Sequence, residues 1–240
     1  MNSLKSKWRR QMFIIGPLSV LMNPSHIIRQ GIYSAIKRFA PEITGSVLDF
    51  GCGSKPYEEL FHPLSYTGVD IEISGHDHAT SKVDRFYDGH TIPFADETFD
   101  SVIAFEVFEH IFNLEEILGE VRRILRPHGK LLISIPFGWP EHEVPYDRAR
   151  YTSFGIEKLL TEAGFDVAHT LKTTTSVRAI AQLAIVYVSD HCLPQHGLIS
   201  NLLRLLIIFP MNVTAIVADF VLPKRDDFYA GLVVLATRTG

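Results

Sequence analysis

The sequence has few cysteines, little net charge and no long uninterrupted apolar run, and each scarcity narrows the class of protein. Its only two cysteines, Cys52 and Cys192, are far apart, which argues against a disulfide framework and favours a reducing, cytoplasmic compartment. The chain has 23 Lys and Arg against 27 Asp and Glu, and the resulting charge of −4 argues against a nucleic-acid-binding surface. The uncharged run 205–218 is interrupted by Pro210 and is too short to predict a membrane-spanning helix.

The N-terminus resembles a secretory signal only in part. Four cations precede an apolar run at 12–20, but Gly16 and Pro17 interrupt that run and no small-residue cleavage site follows. We interpret residues 1–45 as an N-terminal arm, which we expect to contact a surface, followed by a helix.

The remaining chain alternates between short apolar strands and amphipathic helices. This order predicts one α/β domain with a mostly parallel sheet and helices on both faces. We predict strands at 46–49, 66–70, 83–86, 99–105, 130–136, 165–171 and 229–237, and helices at 25–39, 114–125 and 153–163, the second of them capped by Asn113. Residues 56–60 resemble the first turn of a further helix.

The most informative stretch is 46–54, where an apolar strand ends in Asp49 and enters a turn containing Gly51 and Gly53. Glycine has no Cβ, so a ligand can approach the backbone there. The next strand ends in a second acid, Asp70. An acid at a buried strand end is more often functional than structural, although Asp49 alone would also suit a helix cap. A dinucleotide site requires Gly-x-Gly-x-x-Gly, and Pro56 occupies its last position.

Five motifs, in order, resemble those of the class I S-adenosylmethionine-dependent methyltransferases. They cover about residues 46–167 and lie at 47–53, 68–70, 88–100, 105–110 and 123–131. The resemblance implies an α/β, Rossmann-like doubly wound sheet, mostly parallel with an antiparallel last strand, and S-adenosylmethionine as the cofactor. The family's third glycine is replaced by Lys55, which leaves the path of the loop open.

The resemblance also implies roles for particular residues. The turn from Asp49 through Gly51, Cys52 and Gly53 would approach the methionine part of the cofactor, and Asp70 would accept the ribose hydroxyls. Asp88 would contact the adenine amino group, with Ile71 and Gly89 on either side of the ring. The backbone of Phe105 would lie near the methionine ammonium.

The methyl acceptor is expected beyond strands four and five, near Glu106-x-x-Glu109-His110 and the polar segment 139–151. A hydroxyl acceptor needs a base, for which His142 is the first candidate and His110 and Tyr146 follow. A divalent metal is the alternative, because a Glu-Glu-His set plus a later histidine resembles metal-using O-methyltransferases. We make no commitment to a metal, and we interpret His76-Asp77-His78 as a polar loop.

Residues 174–227 form an unusually long connection within the predicted core, which consists of 46–173 and a final strand at 228–240. Two apolar stretches, 177–189 and 202–221, predict helices broken at Pro194 and Pro210. They could cap the acceptor pocket, form an oligomer face, or contact a membrane peripherally through 177–221.

These patterns predict a cytoplasmic enzyme, with membrane association as an open alternative, that methylates an oxygen of a small-molecule, glycan or lipid-linked acceptor. A different alternative is a catalytically silent S-adenosylmethionine-binding subunit that interacts through its apolar tail. Another is a metal-assisted RNA 2′-O-methyltransferase, against which the negative charge counts.

Overall fold

A computed structural model describes residues 19–73 and 81–240. Most of the N-terminal arm and the His76-Asp77-His78 loop lie outside these residues, so the interpretations of both stay predictions. Within the described residues the helices are α1 Ser19–Met22, α2 His26–Phe39, α3 Leu114–Ile124, α4 Ser153–Glu162, α5 Ser176–Tyr187 and α6 Leu198–Val221. The strands are β1 Ser46–Phe50, β2 Ser65–Ile71, β3 Arg85–Tyr87, β4 Phe99–Phe105, β5 Leu125–Pro136, β6 Phe165–Thr175 and β7 Tyr229–Arg238.

The strands form a single sheet in the order β3-β2-β1-β4-β5-β7-β6. The pairs β1–β2, β1–β4, β2–β3 and β4–β5 are parallel. Strand β7 runs antiparallel to β5, because Thr237 and Arg238 at its end contact Lys130 and Leu125 near the start of β5. The predicted fold class, mostly parallel with an antiparallel last strand, is therefore confirmed.

The strand order reverses between β1 and β4, and this reversal determines where a ligand can bind. Chain connections leave the sheet in opposite directions from these two strands, which opens a crevice beyond their carboxyl ends. Val47, Leu48 and Phe50 of β1 are fully buried, as expected for a central strand covered on both faces. The crevice therefore has a rigid floor, and the loops that follow β1 and β4 border it.

Helix α3 shows how a single apolar face fixes a helix on the sheet. Its buried residues recur at helical spacing, with Glu115 and Glu116 in the first turn and Arg122 and Arg123 in the last, where they complement the helix dipole. The buried residues are Leu114, Ile117, Leu118, Val121 and Ile124.

Three local predictions were wrong. Asn113 occupies the N-cap position of α3, but its amide donates to the Gly89 carbonyl and the Glu116 carboxylate and does not cap the helix. The turn after Pro56 is a short 3-10 segment, Glu58–Leu60, and does not continue as a helix. Strand β5 begins at Leu125, before the Pro-His-Gly sequence, because pairing with Phe99 of β4 extends it backwards.

The contacts divide the chain into two compact units. One comprises residues 35–171 and 232–240, and the other comprises residues 1–34 and 172–231. The domain boundaries proposed from the sequence stay a prediction.

In the second of these units, α5 and α6 pack on each other and α1 packs on α6. The Gln182 side chain of α5 is completely buried and ties the chain together there. Its Oε1 accepts the Ile28 N–H at 3.0 Å, and its Nε2 donates to the Pro24 carbonyl at 2.6 Å. The apolar core of this unit consists of Ile27, Ile185, Leu193, Ile208 and Ala215.

Helix α6 is one continuous helix, so the predicted break at Pro210 was wrong. Proline removes only one backbone donor, and the buried side chains of Ile208 and Ala215 hold the helix on both sides of it. With 24 residues, α6 is the one helix among the described residues that has the length and composition to cross a membrane, a test that the core helix of a soluble protein also passes. Only 17% of its most apolar 18-residue stretch is buried.

Candidate functional site

The turn after β1 is tied to the end of β2 by backbone and carboxylate hydrogen bonds. The N–H groups of Gly51 and Cys52 both donate to the Val69 carbonyl, at 2.8 and 3.0 Å. The N–H of Gly53 donates to Oδ2 of Asp70 at 2.9 Å. Asp70, which is 3% exposed, also accepts the Ile71 N–H on Oδ1 at 2.8 Å. Each carboxylate oxygen can accept two hydrogen bonds, so an acid held in this way is suited to receive ligand hydroxyls as well.

Gly51 and Gly53 are required for different reasons. Both have a positive φ, 70° and 46°, which favours glycine. A Cβ on Gly51 would lie 2.4 Å from the Val107 side chain, so Gly51 permits packing between two loops. A Cβ on Gly53 would meet no atom of the described residues within 4 Å. The Gly53 side of the turn therefore faces open space, where a cofactor fits.

Lys55 adopts the backbone conformation that the missing third glycine would favour. Its φ is 55°, and its buried ammonium lies 2.6 Å from the Asp84 carboxylate. That hydrogen bond, together with one from the Gly68 N–H at 2.6 Å, lowers the pKa of Asp84. The loop thus makes a left-handed turn at Lys55, whose side chain forms an ion pair with Asp84.

Asp49 is buried at the end of β1 and accepts a hydrogen bond from the Tyr66 hydroxyl at 2.7 Å. Burial raises the pKa of Asp49 to about 7, although the Tyr66 bond and the nearby Lys55 oppose the rise. The site thus contains a carboxyl that a bound cation would help to ionise. Asp49 does not act as a simple helix cap, because the Tyr66 hydroxyl occupies one of its oxygens and its turn leads only to the 3-10 segment Glu58–Leu60.

Asp88, Gly89 and Ile71 border the other side of the crevice. A Cβ on Gly89 would lie 3.6 Å from the Ile71 side chain, so these two residues are neighbours. The exposed Asp88 accepts the N–H groups of His90 and Thr91 on Oδ1, at 2.9 and 2.7 Å. The structure therefore brings the residues expected at an adenine ring close together, with Asp88 fixed by its own turn.

Phe105, at the end of β4, packs in an aromatic group. Its ring lies edge-on to Tyr57 at 5.2 Å and is stacked on Phe61 at 6.2 Å between centroids. The Phe105 side chain therefore packs against these two rings. Only the backbone of Phe105 is available for the expected contact with the methionine ammonium.

The acceptor candidates converge on a buried carboxyl, which was expected from the sequence in the acceptor region and in the alternative metal-binding set but not among the candidate bases. Glu109 is completely buried, and neither of its carboxyl oxygens has a hydrogen-bond partner among the described residues. Nε2 of His110 lies 3.6 Å and Nε2 of His142 lies 3.7 Å from its Oε1. Burial raises the pKa of Glu109 to about 7, against the attraction of His142.

The pKa values of the two histidines are shifted in opposite directions. Nδ1 of His110 lies 3.2 Å from the Tyr146 carbonyl, which can only accept, so Nδ1 carries the proton and Nε2 presents a lone pair. Burial lowers the pKa of His110, so it is held neutral. The carboxyls of Glu109 and Asp147 raise the pKa of His142, although burial opposes them.

His142 is fixed in place by Asp147. One carboxylate oxygen, Oδ2, accepts the His142 N–H at 3.0 Å and lies 3.2 Å from its Nδ1. Arg150 contacts both oxygens of Asp147, at 2.6 Å for the longer contact. Burial opposes ionisation, but the hydrogen bonds from Arg150 and His142 lower the pKa of Asp147 to about 2. An arginine–carboxylate pair therefore orients this histidine.

Glu106 has a strained backbone beside this group, with a φ of 56°. Its N–H donates to the Ser134 carbonyl at 2.9 Å, and its Oε1 accepts the Ser134 hydroxyl at 2.7 Å. Among the described residues, the group that could hold a metal consists of Glu109, His110 and His142, whose ligand atoms lie within 4.8 Å of one another. Glu106 is not part of this group.

Most predicted site residues fall into two clusters, one around Gly53 and Asp70 and the other around Glu109. Tyr146 reaches the second cluster through its carbonyl group, and a role for its hydroxyl stays a prediction. Three supporting residues were not predicted from the sequence: Tyr66, Asp147 and Arg150. The i, i+3 spacing of Asp147 and Arg150 was visible, but their contact with His142 depends on the tertiary fold.

Residues 25–170, more than half of the chain, match the methyltransferase domain family. Two curated relatives, each aligned over about 60% of its own length, are similar to this part. A probable S-adenosylmethionine-dependent methyltransferase of Mycolicibacterium smegmatis is 28% identical over 56% of this chain and 58% of its own. An O-methyltransferase of Pyrenophora dematioidea is 26% identical over 60% of this chain and 63% of its own length. The chain spans about three fifths of the length of these relatives.

Among solved structures, phosphoethanolamine N-methyltransferase 2 of Haemonchus contortus, in complex with S-adenosyl-L-methionine, has a TM-score of 0.56. It is 17% identical, and the match covers 96% of this chain and 57% of that one. This likeness shows the fold. The chain belongs to the class I S-adenosylmethionine-dependent methyltransferase family, and the recognition from its motifs is confirmed.

Proposed function

We propose that the protein transfers the methyl group of S-adenosylmethionine to an oxygen of a small-molecule, glycan or lipid-linked acceptor. The observation that carries this proposal is the turn at Gly53. It is anchored to the ribose-binding candidate Asp70 and faces open space, at the crevice of a chain that belongs to the methyltransferase domain family. The two relatives named as methyltransferases support the reaction class, and the Pyrenophora O-methyltransferase supports oxygen as the acceptor atom.

S-adenosylmethionine, when bound, supplies a methyl group that its sulfonium has already activated. The chain must then position a hydroxyl and remove its proton. Nε2 of His110 presents a lone pair towards Oε1 of Glu109, 3.6 Å away, where two electron-rich atoms face each other. This distance leaves no room between the two atoms, but an acceptor hydroxyl that approaches from beside them can donate its proton to Nε2 of His110.

We assign the proton acceptor role to His110 and a charge-holding role to His142. His142 lies between Glu109 and Asp147, both of which favour its protonated form. Its charge stabilises the Glu109 carboxylate and any oxyanion that forms beside it. This assignment reverses the order of candidates taken from the sequence, because each histidine's neighbours determine its charge.

The pH dependence of kcat separates the two histidines. A general base must be neutral, so the rate falls when the pH drops below its pKa. If His110 is the base, the acid limb lies below 6.5, because burial lowers its pKa from that ordinary value. If His142 is the base, the acid limb of the pH profile lies above pH 6.5, because the pKa of His142 is raised from its ordinary value. An acid limb above 6.5 that is lost in His142→Gln would contradict our assignment.

The function itself is tested in two stages. Calorimetry with S-adenosylmethionine measures cofactor binding, with Gly53→Asp as the matched negative control because its carboxylate would enter the open face of the turn. Radiolabelled methyl transfer into a cell extract then identifies the product. No cofactor binding would refute the proposal, and binding without transfer to any acceptor would favour a silent binding subunit.

A second candidate is favoured by the metal-competent group Glu109, His110 and His142. A divalent cation at this point would hold the acceptor hydroxyl and lower its pKa. Oxygen and imidazole ligands suit such an ion. Dialysis against EDTA distinguishes the mechanisms, since a proton-transfer mechanism retains its rate and a metal mechanism loses it until Mg²⁺ or Zn²⁺ is restored.

A further inference from the structure

Helix α6 is apolar on its outer side as well as on the side that packs on the protein. A surface helix normally packs its apolar side on the protein and turns its polar side to water. Along α6, large apolar side chains that are 55% to 87% exposed form a row spanning the whole helix. This row, the outer face of α6, consists of Leu198, Leu202, Leu206, Val217, Phe220 and Val221.

The opposite side of α6 carries polar groups whose partners lie within the same unit. Nη1 of Arg204 donates to the Ser189 hydroxyl at 2.8 Å. Nδ2 of the buried Asn212 donates to the Val20 carbonyl of α1 at 3.0 Å. Asp219 pairs with Arg178 of α5 at 3.3 Å. The polar side chains thus hold this side of α6 against the protein. The row of apolar side chains on the opposite side therefore faces outward.

We propose that the outer face of α6 docks on a lipid bilayer, with the helix lying in the plane of the membrane. A helix of 24 residues is roughly 36 Å long, so its apolar row is larger than the scattered exposed side chains of an ordinary monomer surface. Among the exposed residues of α6, only Asn201 and Thr214 have polar side chains. A protein partner is specified by hydrogen bonds around an apolar centre, whereas a bilayer needs only an apolar face.

Charge complementarity also favours a bilayer over a second copy of this chain. The first eighteen residues contain Lys5, Lys7, Arg9 and Arg10 and no acid. This cationic sequence leads directly into α1, which packs on α6. Cations that precede α1 in the chain favour anionic lipids as the partner, whereas two copies of the same cationic sequence in a symmetric dimer would repel each other.

The polar side of α6, whose side chains are bonded to other parts of the protein, explains why the helix would lie on a membrane and would not cross it. A spanning helix would bring Arg204 and Asp219 to the level of the hydrocarbon. Their partners Ser189 and Arg178 hold both groups against the protein. Only one side of α6 is available to lipid.

Co-sedimentation with vesicles tests the proposal. Full-length protein is mixed with phosphatidylcholine vesicles containing or lacking phosphatidylglycerol, at low and high salt. We expect binding to both, stronger with phosphatidylglycerol. The double variant Leu206→Asp, Val217→Asp should bind about tenfold or more weakly to both. The control Leu64→Asp alters a 91% exposed leucine that belongs to the other compact unit, and this variant should bind as wild type.

A second measurement keeps the test decisive if the double variant folds poorly. Leu206→Cys in a Cys192→Ser background is labelled with an environment-sensitive fluorophore, since the other cysteine, Cys52, is buried. Its emission should shift to the blue with vesicles, and that of Leu64→Cys should not.

Three results would overturn the proposal: no vesicle binding by the wild type, equal binding by the double variant, or a dimer in light scattering that Leu206→Asp dissociates without any vesicle binding. The proposal does not depend on methyl transfer, so its failure would leave the proposed function intact.

Discussion

Replacing the Asp49 carboxylate with an amide, in Asp49→Asn, should stabilise the cofactor-free protein at alkaline pH while it weakens cofactor binding. In the unfolded chain this carboxyl ionises near 3.8, but in the folded protein burial holds its pKa at about 7. The folded state therefore keeps a proton that the unfolded state loses. The stability contributed by this proton is fully present below pH 3.8 and is lost as the pH rises through 7.

The size of the effect follows from the two pKa values. The difference of about 3 units corresponds to roughly 4 kcal/mol of lost unfolding free energy above pH 7, at about 1.36 kcal/mol per unit. The substituted amide cannot ionise, and its carbonyl can still accept the Tyr66 hydroxyl that now lies 2.7 Å from Asp49. We therefore expect the variant to exceed wild type by several kcal/mol at pH 8 and to differ little at pH 4.

The assay is urea unfolding at pH 4, 6 and 8, with calorimetric titration of S-adenosylmethionine at pH 8. Asp166→Asn, which changes an exposed carboxyl, is the control and should track wild type throughout. The reasoning is refuted if the stability difference between Asp49→Asn and wild type does not grow between pH 4 and pH 8. Unchanged cofactor affinity would remove Asp49 from the cofactor site.

The other predictions concern the turn and the base. Gly51→Ala should lower the unfolding free energy by about 2 kcal/mol or more in urea titrations, because strain at positive φ adds to a clash with Val107; equal stability would contradict this. Gly53→Ala should cost only about 1 kcal/mol, since its Cβ meets no described atom, and its main effect should be weaker cofactor binding by calorimetry. Asp70→Asn should weaken that binding about 10- to 100-fold, since hydrogen bonds to a charged acceptor are lost; full affinity would exclude the ribose role. His110→Gln should lower kcat about 100-fold or more at unchanged cofactor affinity, and an unchanged rate would exclude it as base.

The order of elements could be predicted because each depends on neighbours in the chain. Short apolar runs bounded by turn residues mark β1 and β4, and the 3.6-residue period marks α3. The predicted ends were less accurate where pairing decides them, as at Leu125, which joins β5 through its contact with Phe99. Pro210 was taken as a break because proline lacks a donor, but tertiary packing offsets one lost hydrogen bond.

The cofactor residues were accessible to sequence analysis because they follow strands whose order is readable. The two segments of the acceptor region were also predicted, but the contacts between them were not, because they belong to two different loops. Glu109 follows β4, whereas His142, Asp147 and Arg150 follow β5, and their mutual distances depend on how these loops fold over the sheet. The protonation of each histidine depends in turn on those distances.

The sequence by itself determined a Rossmann-like sheet, a glycine turn beside two acids and the family of the protein, because strands, turns and motif order are local properties. The tertiary structure alone decided three things. Lys55 has a left-handed backbone, and its buried ammonium pairs with Asp84. Glu109 becomes the centre of the acceptor group because the fold buries it between two histidines. The apolar row of α6 faces outward because buried apolar residues and bonded polar residues hold the other side of that helix on the protein.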